Sequence, residues 1–186
     1  MDKAVFWSLL EQNKQTSPGE MPEGLLQALA GLPPEELLTF HGYLNAYMEQ
    51  VNDCIWVDMG CKVINGYVSD DTGLYFALWL IAQGEKVLLA ALADPDSLAE
   101  LPGIPFGIAD FELLMGAGLD ETADYEATQR IMEKCSKEIA PSIVYKGGSK
   151  YGDYVDFDEG MADIPNLLPN LIQRAKEAGF NWEEFI

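Results

Sequence analysis

One stretch of the sequence, residues 69–84, constrains the fold more than any other. It reads Ser-Asp-Asp-Thr-Gly-Leu-Tyr-Phe-Ala-Leu-Trp-Leu-Ile-Ala-Gln-Gly. Ser69 or Asp70 can cap the start of a helix and Gly84 can close its end, so the stretch predicts one helix. Its apolar side chains would point in nearly every direction around the helix axis. That distribution is typical of a central helix with other elements packed around it.

Helical periodicity predicts further elements on both sides of this segment. Apolar residues recur at helical spacing from Leu37 to Val51, which indicates a long amphipathic helix that begins at Pro33-Pro34. Residues 54–66 predict a separate helix that ends at Asn65-Gly66. Other helices are expected after a cap at Asp2 and over Glu23–Gly31, Glu85–Ala93, Phe111–Met115, Thr122–Ile139 and Pro169–Ala178.

These elements favour an all-α, single-domain, multi-helix bundle. Residues 141–160 differ from the rest, because they hold four glycines and alternating Tyr and Val. They predict either a small hairpin or an irregular loop near the C-terminus. We therefore expect residues 1–140 to form the helical domain, and residues 141–186 to add a loop or hairpin and a C-terminal helix packed on it.

Charge restricts the classes of partner. Thirty-one Asp and Glu residues face eleven Lys and Arg residues, which gives a formal net charge of -20. Such a surface repels phosphate backbones and anionic membranes, so neither nucleic acid nor a membrane is expected as a partner. A basic protein partner is favoured, although a high charge also serves solubility alone.

The cysteines and the N-terminus indicate a reduced, cytoplasmic protein. Cys54, Cys61 and Cys135 are odd in number and widely spaced, which argues against a disulfide framework and offers no Cys-x-x-Cys zinc pair. The first residues lack the basic and apolar regions of a signal peptide, and no run reaches the roughly 18 apolar residues of a membrane span.

The candidate binding residues are Asp70, Asp71, Tyr75 and Trp79. The last three recur at intervals of four and would share one face of the predicted helix. In one interpretation the two carboxylates lie at a cleft walled by the aromatic rings and bind a basic group or ligand. In the other, the rings belong to the core and the carboxylates cap the helix. No catalytic residue, cofactor or metal is predicted.

Three other features have plainer interpretations. His41, the single histidine, lies one step off the apolar stripe and is expected to be solvated or half-packed. The acidic run from Asp153 to Asp163 has oxygen ligands for calcium but not the spacing of an EF-hand, so a solvated loop is expected. Gly147-Gly148-Ser149-Lys150 lacks the pattern of a phosphate-binding loop.

Several motifs resemble one family of bacterial proteins. The most specific is the block Ser69-Asp70-Asp71, Tyr75-Phe76, Trp79-Leu80-Ile81 and Gly84, followed by Ala91-Leu92-Ala93-Asp94-Pro95-Asp96-Ser97-Leu98. The openings Asp2–Leu10 and Leu32–Leu37 are similar to the same family, known as domain of unknown function 4240. The resemblance covers roughly residues 1–100. It implies a fold but no reaction, cofactor or catalytic residue.

The sequence favours a non-enzymatic function. With one histidine and no catalytic constellation, we expect an acidic helical protein that binds a basic protein partner, as an immunity or inhibitor protein does. An enzyme, or a small-ligand-binding protein with a carboxylate and aromatic cleft, is the alternative. The oligomeric state is left open.

Overall fold

The computed structural model describes residues 1–15, 17–119 and 125–184, which form α-helices joined by turns and 3-10 helices. No residue in these ranges lies in a β-strand, so the all-α prediction is confirmed. The α-helices are α1 (Lys3–Gln12), α2 (Glu23–Ala30), α3 (Pro34–Val51), α4 (Ile55–Asn65), α5 (Asp70–Ala82), α6 (Glu85–Ala93), α7 (Tyr125–Ile139), α8 (Phe157–Ala162), α9 (Ile164–Leu167) and α10 (Pro169–Glu177). The 3-10 helices are Pro95–Glu100, Glu112–Leu114, Ala140–Ser142 and Lys146–Gly148.

Helix α5 is the central helix that the sequence predicts. The Ser69 hydroxyl accepts a hydrogen bond from the Thr72 amide at 3.3 Å, and the Thr72 hydroxyl accepts one from the Ser69 amide at 2.7 Å. This reciprocal capping fixes where the helix begins. Every residue from Phe76 to Ala82 is buried. Gly84 adopts φ +106° and turns the chain from α5 into α6, as expected of a glycine at a helix end.

Helices α3 and α7 pack closely because α3 carries a glycine at their contact. A Cβ atom on Gly42 would lie 2.5 Å from Cγ2 of Ile131 and 3.3 Å from Sγ of Cys135. Any larger residue would therefore hold the two helices apart. The packing buries Cys135, which is 2% exposed.

The prediction that His41 is solvated or half-packed is wrong. His41 is only 2% exposed, and its Nε2 lies 2.8 Å from the carbonyl oxygen of Ala117. Because a carbonyl only accepts, Nε2 carries the proton and donates it. The chain after the 3-10 helix Glu112–Leu114 brings Ala117 against this side of α3, a contact 76 positions away that helical periodicity does not reveal.

The C-terminal helix joins the same hydrophobic core as the rest of the chain. Leu168, Leu171 and Ala175 are buried in it. Asp96, in the 3-10 helix Pro95–Glu100, accepts hydrogen bonds from the Leu171 amide at 2.8 Å and from Nδ2 of Asn170 at 2.7 Å. Its carboxylate therefore caps the N-terminus of α10 from another element. The division of the chain at residue 140 stays a prediction.

Residues 145–156, which we call the strap, form turns rather than a hairpin. The Lys150 carbonyl accepts a hydrogen bond from the Ile55 amide at 3.0 Å, and the Ser149 carbonyl accepts one from Nε1 of Trp56 at 2.8 Å. These bonds attach the strap to the first turn of α4. The irregular-loop alternative is therefore correct, since the backbone groups of the strap bond to turns and to α4.

Several predicted helix bounds differ from the structure by a residue or more, and the predicted helix over Phe111–Met115 is the 3-10 helix Glu112–Leu114. Pro165 lies in the first turn of α9, and Pro169 lies in the first turn of α10. Residues 122–124, which were assigned to the helix before Ile139, lie outside the described residues.

Candidate functional site

A cleft of about 470 Å³ is bounded by the strap and by the first turns of α4 and α5. This volume lies within the range of small-molecule and side-chain binding sites. Two walls come from the turn between α3 and α4 and from the start of α5, and the strap forms the opposite wall. The lining residues are Val51, Asn52, Asp53, Ile55, Asp58, Val68, Ser69, Asp70, Gly73, Leu74, Tyr151, Tyr154, Val155, Asp156 and Phe157.

Apolar and aromatic side chains cover much of the cleft. Ile55 is buried at its inner end, and the strap contributes Tyr151 and Tyr154. The ring of Tyr154 lies edge-on to Trp56 with centroids 5.9 Å apart, and its hydroxyl donates to Asp163 at 2.9 Å. Burial and this hydrogen bond raise the pKa of Tyr154 to about 12, so its side chain is neutral and held in place.

The rim of the cleft is exposed although it is apolar. Val155 is 90% exposed and Tyr151 is 59% exposed, and Phe157 lies beside them at 45%. An isolated exposed apolar residue needs no explanation, but a group of three at the mouth of a cleft is typical of a contact surface.

Four carboxylates line the cleft, and none of its described lining residues is basic. They are Asp53, Asp58, Asp70 and Asp156. Lys150 is on the strap, but its ammonium donates to backbone carbonyls, that of Glu49 and, at 3.0 Å, that of Asn52. The cleft is therefore electronegative and suited to a cation.

Asp58 is the most unusual of these carboxylates. It is partly buried, and no described residue donates a hydrogen bond to it. The pKa of Asp58 is raised from the ordinary value of 3.8 to about 7. Loss of solvation is the larger cause, and repulsion from Asp53 is the smaller one. Oδ1 of Asp58 would lie 3.4 Å from a Cβ atom on Gly73, so the glycine leaves room beside the carboxylate.

Asp53 adds backbone strain at the edge of the cleft. Its φ is +52°, and among the described residues other than glycine it is the one with positive φ. Asp tolerates this left-handed conformation better than most residues, yet such strain is concentrated at functional sites.

The structure does not bring the four predicted site residues together. Asp70 lines the cleft, whereas Asp71 is exposed outside it. The hydroxyl of Tyr75 donates to Glu112 at 3.0 Å, and this bond, with partial desolvation, raises the tyrosine pKa. Trp79 is 4% exposed in the core and borders a different cavity. Their role in binding stays a prediction, and the geometry supports it best for Asp70.

The second cavity, of about 320 Å³, is less suited to a charged ligand. Its described lining holds no carboxylate and one basic residue, Lys14. Three prolines contribute to its walls together with Trp79, and we assign it no function.

The acidic run in the C-terminal part mostly serves local structure. Asp156 accepts from the Glu159 amide at 2.8 Å and caps α8, and Glu159 accepts from the Val155 amide at 2.7 Å. Asp163 accepts from both Tyr154 and Asn166. Among the described residues no group of three or more His, Cys, Asp or Glu side chains is arranged to hold a metal ion.

Sequence reasoning missed Asp58 and the strap. The available signal for Asp58 was a single carboxylate within the otherwise apolar run Ile55-Trp56-Val57-Asp58-Met59. A carboxylate is rarely placed on the buried face of a helix without a partner. The strap carried no comparable signal, because its position depends on contacts with residues about 90 positions away.

Comparison with known families agrees with the motifs in the N-terminal half. A family model described as protein of unknown function (DUF4240) matches residues 1–134. The chain belongs to this family. The DUF4240 match confirms the resemblance and extends it beyond the first hundred residues. It includes the walls of the cleft formed by α4 and α5, whereas the strap lies after the matched region.

Other comparisons add no further relative. No curated protein and no solved structure matches the chain. Within the described residues, no helix is both long and apolar enough to cross a membrane.

Proposed function

We propose that this DUF4240 protein binds a basic protein partner through the cleft between α4, α5 and the strap. The observation that carries this proposal is the lining of the cleft, which has four carboxylates and, among the described residues, no basic side chain. A basic side chain of the partner enters the cleft, and the exposed rim formed by Tyr151, Val155 and Phe157 contacts the apolar residues around it. The protein acts as an immunity or inhibitor protein does, by covering the partner.

The charge of the whole molecule supports the same class of partner. A net charge of -20 attracts a basic protein over a distance and speeds association, especially at low salt. Cleft and surface then have separate roles. The surface charge accelerates the encounter, and the buried contacts in the cleft determine how long the complex lasts.

We place this function in the reducing cytoplasm of a bacterial cell. Cys54, Cys61 and Cys135 are free and buried, which suits a compartment where thiols stay reduced. Burial raises the pKa of the Cys54 and Cys135 thiols to about 11, so they are unreactive and serve packing.

Binding to short labelled peptides tests the proposal. We expect fluorescence anisotropy to show binding of an arginine- and leucine-containing peptide, and none of a peptide with citrulline at each arginine. The double variant Asp58→Asn with Asp156→Asn should weaken binding at least tenfold. Glu133→Gln removes an exposed charge on α7, away from the cleft, and should change affinity less than twofold.

The measurements are made at 50 and 150 mM salt to separate steering from contact. Equal losses in the cleft variant and in Glu133→Gln would show that the peptide binds general negative charge. That result would refute the cleft as the binding site.

One observation favours a second function, an enzyme or a small-ligand-binding protein that uses the same cleft. A carboxyl group with a pKa of about 7 can exchange a proton at neutral pH, which is the property of a general acid or base. This alternative predicts that small cationic or polar metabolites bind more tightly than the arginine peptide. A thermal-shift screen of such compounds tests it, and stabilisation abolished by Asp58→Asn would favour it.

A further inference from the structure

We propose that the cleft takes one organic cation, a guanidinium or ammonium group on an apolar stem, with its charge at Asp58, and that binding expels a proton. This inference rests on the proposed function and names the group that the partner inserts. The arginine or lysine side chain of a basic protein is the source that we favour. A free amine has the same chemistry, and the test separates the two.

The shape and lining of the cleft select a cation with an apolar part. Ile55, Val68 and Leu74 line the cleft beside the carboxylates, so a bare hydrated ion would leave these apolar surfaces uncovered. The stem of an arginine side chain is apolar and can pack on the apolar residues of the cleft, while its charged head can pair with the carboxylates.

The aromatic residues of the strap provide faces for the cation. Tyr151 and Tyr154 line the wall opposite α4, and contacts with Trp56 and Asp163 hold the ring of Tyr154 in place. A guanidinium or ammonium within about 6 Å of an aromatic centroid is attracted to its face, and the attraction is stronger when water is excluded. Because the ring is positioned in advance, little side-chain entropy is lost on binding.

Asp58 has no hydrogen-bond or ion-pair partner among the described residues. It is less exposed than the other three carboxylates of the cleft, and Gly73 leaves space beside its Oδ1. An inserted cation would therefore supply the missing hydrogen bonds and ion pair. Charge-assisted bonds of this kind are the strongest that a carboxylate forms in a protein.

The groups around Asp58 raise its affinity for a proton. Asp53 precedes α4, Asp70 begins α5, and Asp156 and Tyr154 face it across the cleft from the strap. On its own helix the titratable groups are Cys61 and Lys62, and the ammonium of Lys62 donates to the Gly66 carbonyl at 2.7 Å; Cys54 lies at the cap. The strap has two basic residues: the ammonium of Lys150 bonds to two backbone carbonyls, and that of Lys146 pairs with Asp94 at 2.7 Å. Repulsion and loss of solvation therefore favour the neutral acid until a cation arrives.

The proton balance follows from this arrangement. Below neutral pH the free protein carries Asp58 as a carboxylic acid. The cation enters already protonated, the acid O–H bond breaks, the proton goes to solvent, and carboxylate and cation form an ion pair. With a pKa of about 7, the charged fraction of Asp58 rises from about one-tenth at pH 6 to about nine-tenths at pH 8. The apparent affinity should therefore rise about tenfold over this range.

The experiment is an NMR titration of the full chain with N-acetyl-arginine N-methylamide. N-acetyl-citrulline N-methylamide is the matched probe, because it has nearly the same shape without the charge. We expect the arginine compound to bind and the citrulline compound not to bind. The dissociation constant of the arginine compound should fall about tenfold from pH 6 to pH 8.

Two variants separate the role of Asp58 from general electrostatics. Asp58→Asn should bind at least tenfold more weakly at pH 8, and its residual affinity should not change with pH. Asp70→Asn, at the mouth of the cleft, should weaken binding a few-fold and keep the pH step. An unchanged pH step in Asp58→Asn would overturn the proton linkage, because another group would then carry the proton.

The outcomes also separate this inference from the proposed function. If the arginine peptide binds at the cleft but the capped single arginine does not, the proposed function stands and the single-cation site is wrong. If butylammonium binds more tightly than either, a free amine rather than a partner side chain is the ligand, and the choice of source is overturned. If no arginine compound binds at all, both proposals fail.

Discussion

Replacing Asp58 by Asn should make the free protein more stable, and increasingly so as the pH rises. The folded pKa of about 7 exceeds the ordinary 3.8, so the native state holds a proton that the unfolded chain releases. Stability therefore falls as the pH rises from about 4 to about 7, and the full cost is present above pH 7. At 1.36 kcal/mol for each pKa unit, this cost is about 4 kcal/mol at pH 8, of which about 3 kcal/mol develops between pH 5 and pH 8.

This figure is an upper limit, because the Asp58 side chain is only partly buried and faces the open cleft. We expect the difference in free energy of unfolding between Asp58→Asn and the wild type to grow by 1–3 kcal/mol from pH 5 to pH 8. Asn has nearly the same shape as the neutral acid, so the comparison isolates the charge.

Urea denaturation at pH 5, 6, 7 and 8, followed by circular dichroism, measures the difference. At each pH the unfolding free energy of the wild type is subtracted from that of the variant. The contributions of all other titrating groups, which the two proteins share, cancel in this difference. Glu133→Gln is the control, and its difference from the wild type should stay within about 0.5 kcal/mol at every pH. If the difference in unfolding free energy between Asp58→Asn and the wild type did not change with pH, the inference that Asp58 is a desolvated carboxylate would be refuted.

Three further predictions concern the fold around the cleft and the core. Burial lowers the pKa of His41, so this side chain costs stability as the pH falls below about 6.5, opposite in sign to the contribution of Asp58. In urea titrations at pH 5 and 7, His41→Gln, which can still donate a hydrogen bond, should therefore be more stable relative to the wild type at pH 5 than at pH 7. Gly152→Ala places a Cβ 2.6 Å from Cζ2 of Trp56 at φ +60°, whereas Gly148→Ala at φ +81° meets no atom within 4 Å. Both variants should lose about 1 kcal/mol of unfolding free energy to backbone strain. Gly152→Ala should lose a further 1–3 kcal/mol through its contact with Trp56 and should shift the tryptophan emission. Equal losses in the two variants would contradict this contact. Gly42→Ala should cost about 1–3 kcal/mol in the same assay through overpacking against α7, and a neutral result would show that the helices separate freely.

Local sequence patterns predict most of the helices. The capping residues at Asp2 and Ser69 and the glycine at position 66 mark helix ends in the structure as they do in the sequence. These signals depend on neighbours three or four positions apart, so they survive without knowledge of the fold. The helix over Glu85–Ala93 is reproduced residue for residue.

The arrangement of the helices could not be predicted in the same way. His41 is buried by a loop 76 positions away, and Trp56 bonds to a carbonyl 93 positions away. Such contacts follow from how the helices pack, and nothing in a window of the sequence encodes them. The same reason explains why the sequence alone left open whether Trp79 belongs to the core, where it lies, or to the wall of a cleft.

The sequence suggested carboxylate and aromatic residues for a binding site, but it did not indicate which elements would bring such residues together. One of the two interpretations of the sequence placed a carboxylate and aromatic cleft at the start of α5, and a cleft does lie there and includes Asp70. Its other carboxylates and its aromatic wall come from the turn before α4, from α4 and from the strap. The electrostatic trait that distinguishes Asp58 arises only when those elements meet.

The most direct test of the central claim is a map of backbone amide shifts on adding the arginine peptide at pH 8. The cleft predicts that the largest changes cluster at Asp53, Asp58, Gly73 and Val155, and that Asp58→Asn abolishes them. Changes that cluster on α7 or around the second cavity beside Trp79, or that persist in Asp58→Asn, would contradict it.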